Sequence, residues 1–260
     1  MEEQKTIFLC EDSTDGIFTG VYDAWDSRLG HGNVELAVKH NRNLELFARY
    51  QEVETDTGKA EKVANTIRRQ MGYEDYRHIY YATLSRHEEK ADSIYRTIVA
   101  GLSKGMSGPV MQNLQDPDIC RVFELSRTIG YESHRYLGFV RFRELEGGVL
   151  FSEIQPENAI LPLIGDHFAD RFPGEHFLIY DRTHQTFLVH EAFKQWVLLV
   201  GETPDREQTE YVSWKEAQIA GLWKGFCRSI AIGERENQRL QQQLLPLKFR
   251  AFMTEMKGSD

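Results

Sequence analysis

With 260 residues the chain can bury a core as one large domain or as two of ordinary size. Its net charge of −9 excludes a wholesale cationic coat for nucleic acid, although residues 214–257 carry a local net of +4 that leaves a basic lobe open to phosphate. Ample aromatics and the lack of any repeat or low-complexity tract exclude a disordered chain, and no apolar run approaches the length of a membrane span.

The first residues, MEEQKTIFLCED, are acidic and hold only a four-residue apolar run, too short for a signal peptide. Thr6 to Cys10 reads as a buried strand. Glu11-Asp12-Ser13 then caps a helix that turns Ile17, Val21, Ala24 and Trp25 to one side. Asp12 and Asp15 suit a helix N-terminus, and no third ligand nearby turns them into a metal site. Asn33 to Lys39 is a second strand. Ala60, Val63, Ala64, Ile67 and Met71 recur at helical spacing up to Gly72. One longer helix is expected next, with Tyr76, Tyr80, Leu84, His87, Ala91, Ile94, Ile98 and Leu102 as its buried stripe. The glycine-bearing stretch 101–109 lacks the order of a phosphate loop and marks a lobe boundary.

A helix from Asp116 or Asp118 runs to His134 and leads into the clearest strand signal of the chain. Gly147 and Gly148 lie between two runs of β-branched and aromatic residues, which predicts a hairpin over 138–155 with Leu145 opposite Val149. In that register Arg141 faces Glu153, and Arg141 and Arg143 share a face with Phe151. Aromatics beside Arg suit an anion or nucleic-acid surface, and the same charges suit a structural cross-strand pair. Pro162 opens a helix carrying His167 and Asp170, three residues apart and able to hydrogen-bond. Strands follow at 176–180, 185–190 and 195–200. Ser213-Trp-Lys-Glu216 is a capping box for a helix through Ile230, and Pro246 restarts one through Phe249.

The expected fold is α+β: a largely antiparallel sheet of five strands within 138–200 packed by helices, with a helix-rich lobe over 1–110 and a sheet lobe with helical C-terminus over 111–260, closely packed. HExxH and a strand-borne GxGxxG are absent, as is any CxxC, and the GxSxG spelling at 101–105 has no strand before it to form a nucleophile elbow. Cys10, Cys120 and Cys227 are far apart in sequence, the pattern of a reduced cytoplasmic chain without a local cluster site. No cofactor or metal is assigned. Candidate acid–base groups are His134, Glu153, His167 and Asp170, whose convergence the sequence does not reveal.

Five segments, CEDSTDGIFTGVYDAW (10–25), HRYLGFVRF (134–142), ELEGGVLFSEIQPE (144–157), HFADRFP (167–173) and the stretch 229–255, resemble a bacterial domain-of-unknown-function family labelled probable DNA-metabolism protein. The resemblance implies DNA as a ligand and a radical SAM protein of DNA repair or modification as a partner. It also implies a uracil-DNA glycosylase-like domain that some members carry, and any glycosylase activity here would come from a separate protein. The terminal motif departs from the family pattern at Gln238, where proline is usual, and at Phe249-Arg250, where Tyr-Trp is usual. Asn237 and Arg239 are kept.

The leading expectation is therefore an accessory protein of DNA metabolism. In it Arg141, Arg143, Arg235 and Arg239 contact phosphate, and Asn237 meets a base or fixes its loop. The alternatives are an enzyme on a nucleotide or damaged base using the four acid–base candidates, and a protein adaptor marked by an exposed apolar patch.

Overall fold

The computed structural model describes residues 5–39, 47–103, 108–204, 211–230, 245–253 and 256, with 224–230 and 247–248 as backbone alone. The chain forms two compact units, Met1–Tyr131 and Glu132–Asp260.

In the first unit β1 (Thr6–Cys10) is the middle strand of an all-parallel sheet, between β2 (Val34–Val38) and β3 (Arg49–Glu52). Parallel strands need a crossover, and α1 (Thr14–Asp26) supplies it between β1 and β2. Ser13 caps α1, its Oγ accepting the Gly16 N–H at 3.0 Å. Two glycines let the helix settle on the strand: a Cβ at Gly16 would lie 2.6 Å from the Glu11 carbonyl oxygen, and one at Gly20 would lie 2.1 Å from Cys10 Sγ. Ile17, Phe18, Val21 and Ala24 are thereby buried against Phe8, Cys10 and Leu36. α2 (Thr57–Gln70) is capped by Asp56 and adds Ala60, Val63 and Ile67 to this core.

The single long helix expected after Gly72 is two, α3 (Tyr73–Thr83) and α4 (Lys90–Leu102). The break has a visible cause. Lys90 is buried, and its ammonium takes the carbonyl oxygens of Thr83, at 2.8 Å, and Ser85, which a continuous helix would keep for its own ladder. Its third partner is Asp12, at 2.5 Å. His87, expected on a buried stripe, is exposed in the connection; Tyr76 and Tyr80 are half-buried. α4 covers the outer edge of β2. Asp92 Oδ1 accepts the Leu36 N–H at 3.1 Å, and Arg96 donates to the Val34 carbonyl at 2.5 Å. Backbone groups that would otherwise invite another strand are thus satisfied.

α5 (Pro117–Phe139) begins in the first unit and ends in the second. Its length corrects the expected hairpin, whose first strand was to begin near 138. Tyr136 and Val140 are buried four residues apart, and the Val140 N–H still donates to the Tyr136 carbonyl at 3.0 Å, so helical period wins over alternation here. The surviving strand, β4, is only Arg143–Glu144, paired with β5 (Leu150–Ile154). The turn is as expected. Leu145 N–H donates to the Val149 carbonyl at 2.9 Å, and Gly147 and Gly148 take φ of +98° and +79°, a conformation that disfavours side chains.

α6 (Leu161–Arg171) carries the chain from β5 to a parallel neighbour, β6 (Phe177–Asp181), and β7 (Thr186–His190) and β8 (Val197–Val200) follow antiparallel. The order is β4-β5-β6-β7-β8, a mostly antiparallel five-stranded sheet in a mixed α/β molecule. On one face of that sheet α6 packs closely, because Gly165 leaves room for the Trp196 ring, 2.6 Å from where a Cβ would stand. α7 (Trp214–Ile230) and the short α8 (Leu247–Arg250) complete the described elements.

Candidate functional site

Alternation along the strands of the second unit sorts Ile154, Phe177, Ile179 and Leu188 to the α6 side, where all four are buried. The opposite side gathers Phe151, Leu178, Phe187, Val189, Val197 and Leu199, in register across β5 to β8. Phe151 is buried, Leu178, Phe187 and Val189 are half-buried, and Val197 and Leu199 are 54% and 48% exposed. This face forms a groove of about 560 Å³, extended by Leu145 and Val200 and rimmed by Glu202, Thr203 and Pro204. At one margin stands Arg143, half-buried, with its guanidinium 5.2 Å from the centre of the Phe151 ring. Its Nε is buried and has no hydrogen-bond partner.

Of the residues expected to bind nucleic acid, Arg143 is therefore on an open sheet face. Arg141 is not in the ladder: it donates to the Gly138 carbonyl at 2.8 Å and the Val140 carbonyl at 3.2 Å. The expected cross-strand pairing of Arg141 with Glu153 is lost because β4 is too short, and Glu153 meets Arg182 at 3.2 Å. Arg235, Asn237 and Arg239 lie outside the described residues.

The four acid–base candidates all belong to the second unit. His134 is exposed on α5, and His167 and Asp170 are exposed on α6. His167 lies edge-on to Phe168, ring centres 5.0 Å apart. Among the described residues no hydrogen bond joins any two of the four; the α6 carboxylate with a clear partner is Asp166, which accepts from Trp196 Nε1 at 2.7 Å.

A denser polar cluster stands where the parallel strands β5 and β6 end. Glu132, buried, accepts the N–H groups of Glu157 and Asn158 at 2.8 and 3.1 Å and the Asn158 side-chain amide at 2.6 Å. This fixes the loop entering α6. Burial first, then the charges of Glu132 and Asp181, hold the Tyr136 phenol protonated well above its ordinary range. Asp181, 1% exposed, stands 2.6 Å from His184 Nδ1 and accepts the backbone N–H of Thr183 at 2.8 Å. Such a carboxylate fixes the tautomer of an imidazole, and here the same bonds close the β6–β7 turn. Neither Glu132 nor His184 stood out in the sequence, since nothing in their spacing tells a buried carboxylate from a solvated one. The apolar pattern of β6 to β8 on both parities was the available signal for a second buried or bindable face.

Among the described residues no group of three or more His, Cys, Asp or Glu could hold a metal ion, and no helix is long and apolar enough to cross a membrane.

A family model described as a domain of unknown function, DUF4130, matches residues 88–255. No curated protein matches the chain. Among solved structures, a chain described as the DHH domain of a member of the S1p family of ribosomal proteins is similar over 74% of each chain, at 11% identity and a TM-score of 0.31, a likeness that carries no argument.

Proposed function

The chain belongs to the DUF4130 family, and from that premise we propose that it is an accessory protein of DNA metabolism, which docks a radical SAM partner and contacts DNA rather than carrying out chemistry of its own. One observation carries the docking: the sheet face opposite α6 is apolar and open, and it continues onto the exposed edge strand β8, where Val197, Leu199 and Val200 are 54%, 48% and 75% exposed. Contiguous apolar surface rimmed by polar groups is the mark of a protein interface, and a strand edge without a partner strand among the described residues adds backbone donors and acceptors for a partner segment. The radical SAM partner and the link to DNA repair or modification come from the family resemblance of the motifs at 134–142 and 144–157.

Arg143 at the margin of this face is the phosphate contact that this reading favours, because its guanidinium lies 5.2 Å from the Phe151 ring centre and no carboxylate pairs with it among the described residues. Arg235, Asn237 and Arg239 complete the DNA contacts in this reading.

Calorimetric titration of the chain with the radical SAM protein tests the docking. Leu199→Glu is expected to weaken it at least tenfold, and undiminished binding would reject this face. DNA affinity across a salt series tests the second half. Arg143→Ala and Arg239→Ala are each expected to lower the affinity and the salt slope, and an unchanged slope would reject the phosphate role.

A further inference from the structure

The first unit carries a surface of a different kind, built from α3, the end of α2 and the first part of α5. Arg68 lies 4.0 Å over the Tyr76 ring and donates to its hydroxyl at 2.6 Å. Tyr76 is parallel to Tyr80, with 6.1 Å between centres and 6° between planes. Tyr80 meets Tyr81 edge-on at 6.2 Å. At Gly130 of α5 a Cβ would stand 3.8 Å from the Tyr81 ring, so this helix passes beside it. Tyr131 and Arg127 come next, the guanidinium 5.7 Å from the ring centre. The rings are accessible, since Tyr73 and Tyr131 are 67% and 62% exposed and Tyr76, Tyr80 and Tyr81 are half-buried.

The charges on this stripe separate it from an ordinary tyrosine-rich contact. Arg77 is held by Glu74 at 2.7 Å, but among the described residues neither Arg68 nor Arg127 has a carboxylate partner. Two uncompensated guanidiniums stacked on tyrosines, in a chain of net charge −9, form a local cationic strip where the protein as a whole repels polyanions. Rings that take stacked bases, interleaved with Arg that takes phosphate, are what single-stranded nucleic acid requires and what its sequence-tolerant binders provide. A protein partner would prefer the apolar sheet face of the second unit, where Arg143 is confined to the margin.

We infer that this Tyr–Arg stripe of the first unit binds single-stranded nucleic acid by stacking and phosphate contact. The inference goes beyond the DNA contact assigned above to Arg143: it concerns the other unit and needs no partner protein.

The test is fluorescence anisotropy of the full chain with a labelled twelve-nucleotide oligothymidine, in a salt series. Arg127→Glu and Tyr131→Ala are each expected to weaken binding at least fivefold, and Arg68→Lys, which keeps charge but loses the stacking plane, by less. Lys194→Ala, at an exposed ion pair of the other unit, is expected to leave this affinity unchanged. Oligothymidine should outcompete a duplex of equal length, and an eight-residue polyglutamate should not compete. The inference is overturned if neither Arg127→Glu nor Tyr131→Ala matters, if Arg143→Ala alone abolishes binding, or if polyglutamate or duplex competes equally. Should a variant unfold, photocrosslinking of 5-iodouracil oligonucleotide to the unaltered chain decides: adducts on Tyr73, Tyr76 or Tyr131 support it, and adducts confined to residues beyond 132 overturn it.

Discussion

The two sheets of this protein handle unsatisfied surface in opposite ways. In the first unit the edge of β2 is sealed by Asp92 and Arg96, which take the backbone groups that a further strand would seek. The sheet is spent on the core, and in the inference drawn above recognition falls to helices, on which Tyr and Arg are set out. In the second unit α6 covers one face only, and β8 is an exposed apolar edge. There the sheet itself is the proposed recognition surface. A sheet whose β2 edge is sealed, under helices with a polar, aromatic exterior, suits a charged ligand, and a sheet with an open apolar face suits another folded chain.

Breaking the closed unit should have the largest effect. Lys90→Met removes a buried ammonium and leaves the carbonyls of Thr83 and Ser85 unpaired, which is expected to cost about 3 kcal/mol in urea unfolding, with Asp12 regaining water and lessening the loss. Next comes Gly20→Ala, which drives a methyl into Cys10 Sγ and is expected to cost about 2 kcal/mol. The open unit should be more tolerant. Leu199→Thr, on a residue 48% exposed, is expected to change the same measurement by less than about 0.5 kcal/mol while still weakening partner docking. If Leu199→Thr costs as much as Gly20→Ala, the face is core and the contrast between the units fails.

A pH dependence sharpens the comparison further. Burial pushes the Cys10 thiol up to about 12, so the folded chain keeps it protonated where the unfolded chain, with a thiol near 9.0, does not. A raised folded value means stability intact below pH 9 and lost as pH rises from there towards 12, by at most about 1.4 kcal/mol per pH unit from this group. Thermal midpoints between pH 8 and pH 10.5 should fall for the parent chain and fall less for Cys10→Ala. Equal slopes would show that the alkaline loss arises elsewhere.

The sequence revealed these features unevenly, for physical reasons. The turn register of Leu145 and Val149 was readable, because two glycines flanked by strand formers leave few alternatives. The length of the preceding strand was not, since RYLGFV satisfies a helical stripe through Tyr136 and Val140 as well as an alternating one. β3, with the sequence RYQE, carries no apolar signal at all and owes its place to pairing with β1. The break between α3 and α4 depends on where a lysine side chain ends up, which a stripe of Tyr80, Leu84 and Ala91 hides. Among site residues, Arg143 was found on the face expected of it. His167 and Asp170 had spacing that permits a bond and exposure that removes the need for one. Tyr76 and Tyr80 have the spacing of a buried stripe, and only the packing shows them half outside.

The wrapping of Lys90 bears on how this protein would respond to amine-directed chemistry. Acylation needs a neutral, reachable amine, and this one is enclosed by two carbonyls and a carboxylate. An acetyl donor can reach it only when the segment joining α3 to α4 opens. Its labelling rate under native conditions would then count those openings, one lysine serving as a clock for the first unit while the surface lysines are modified at once.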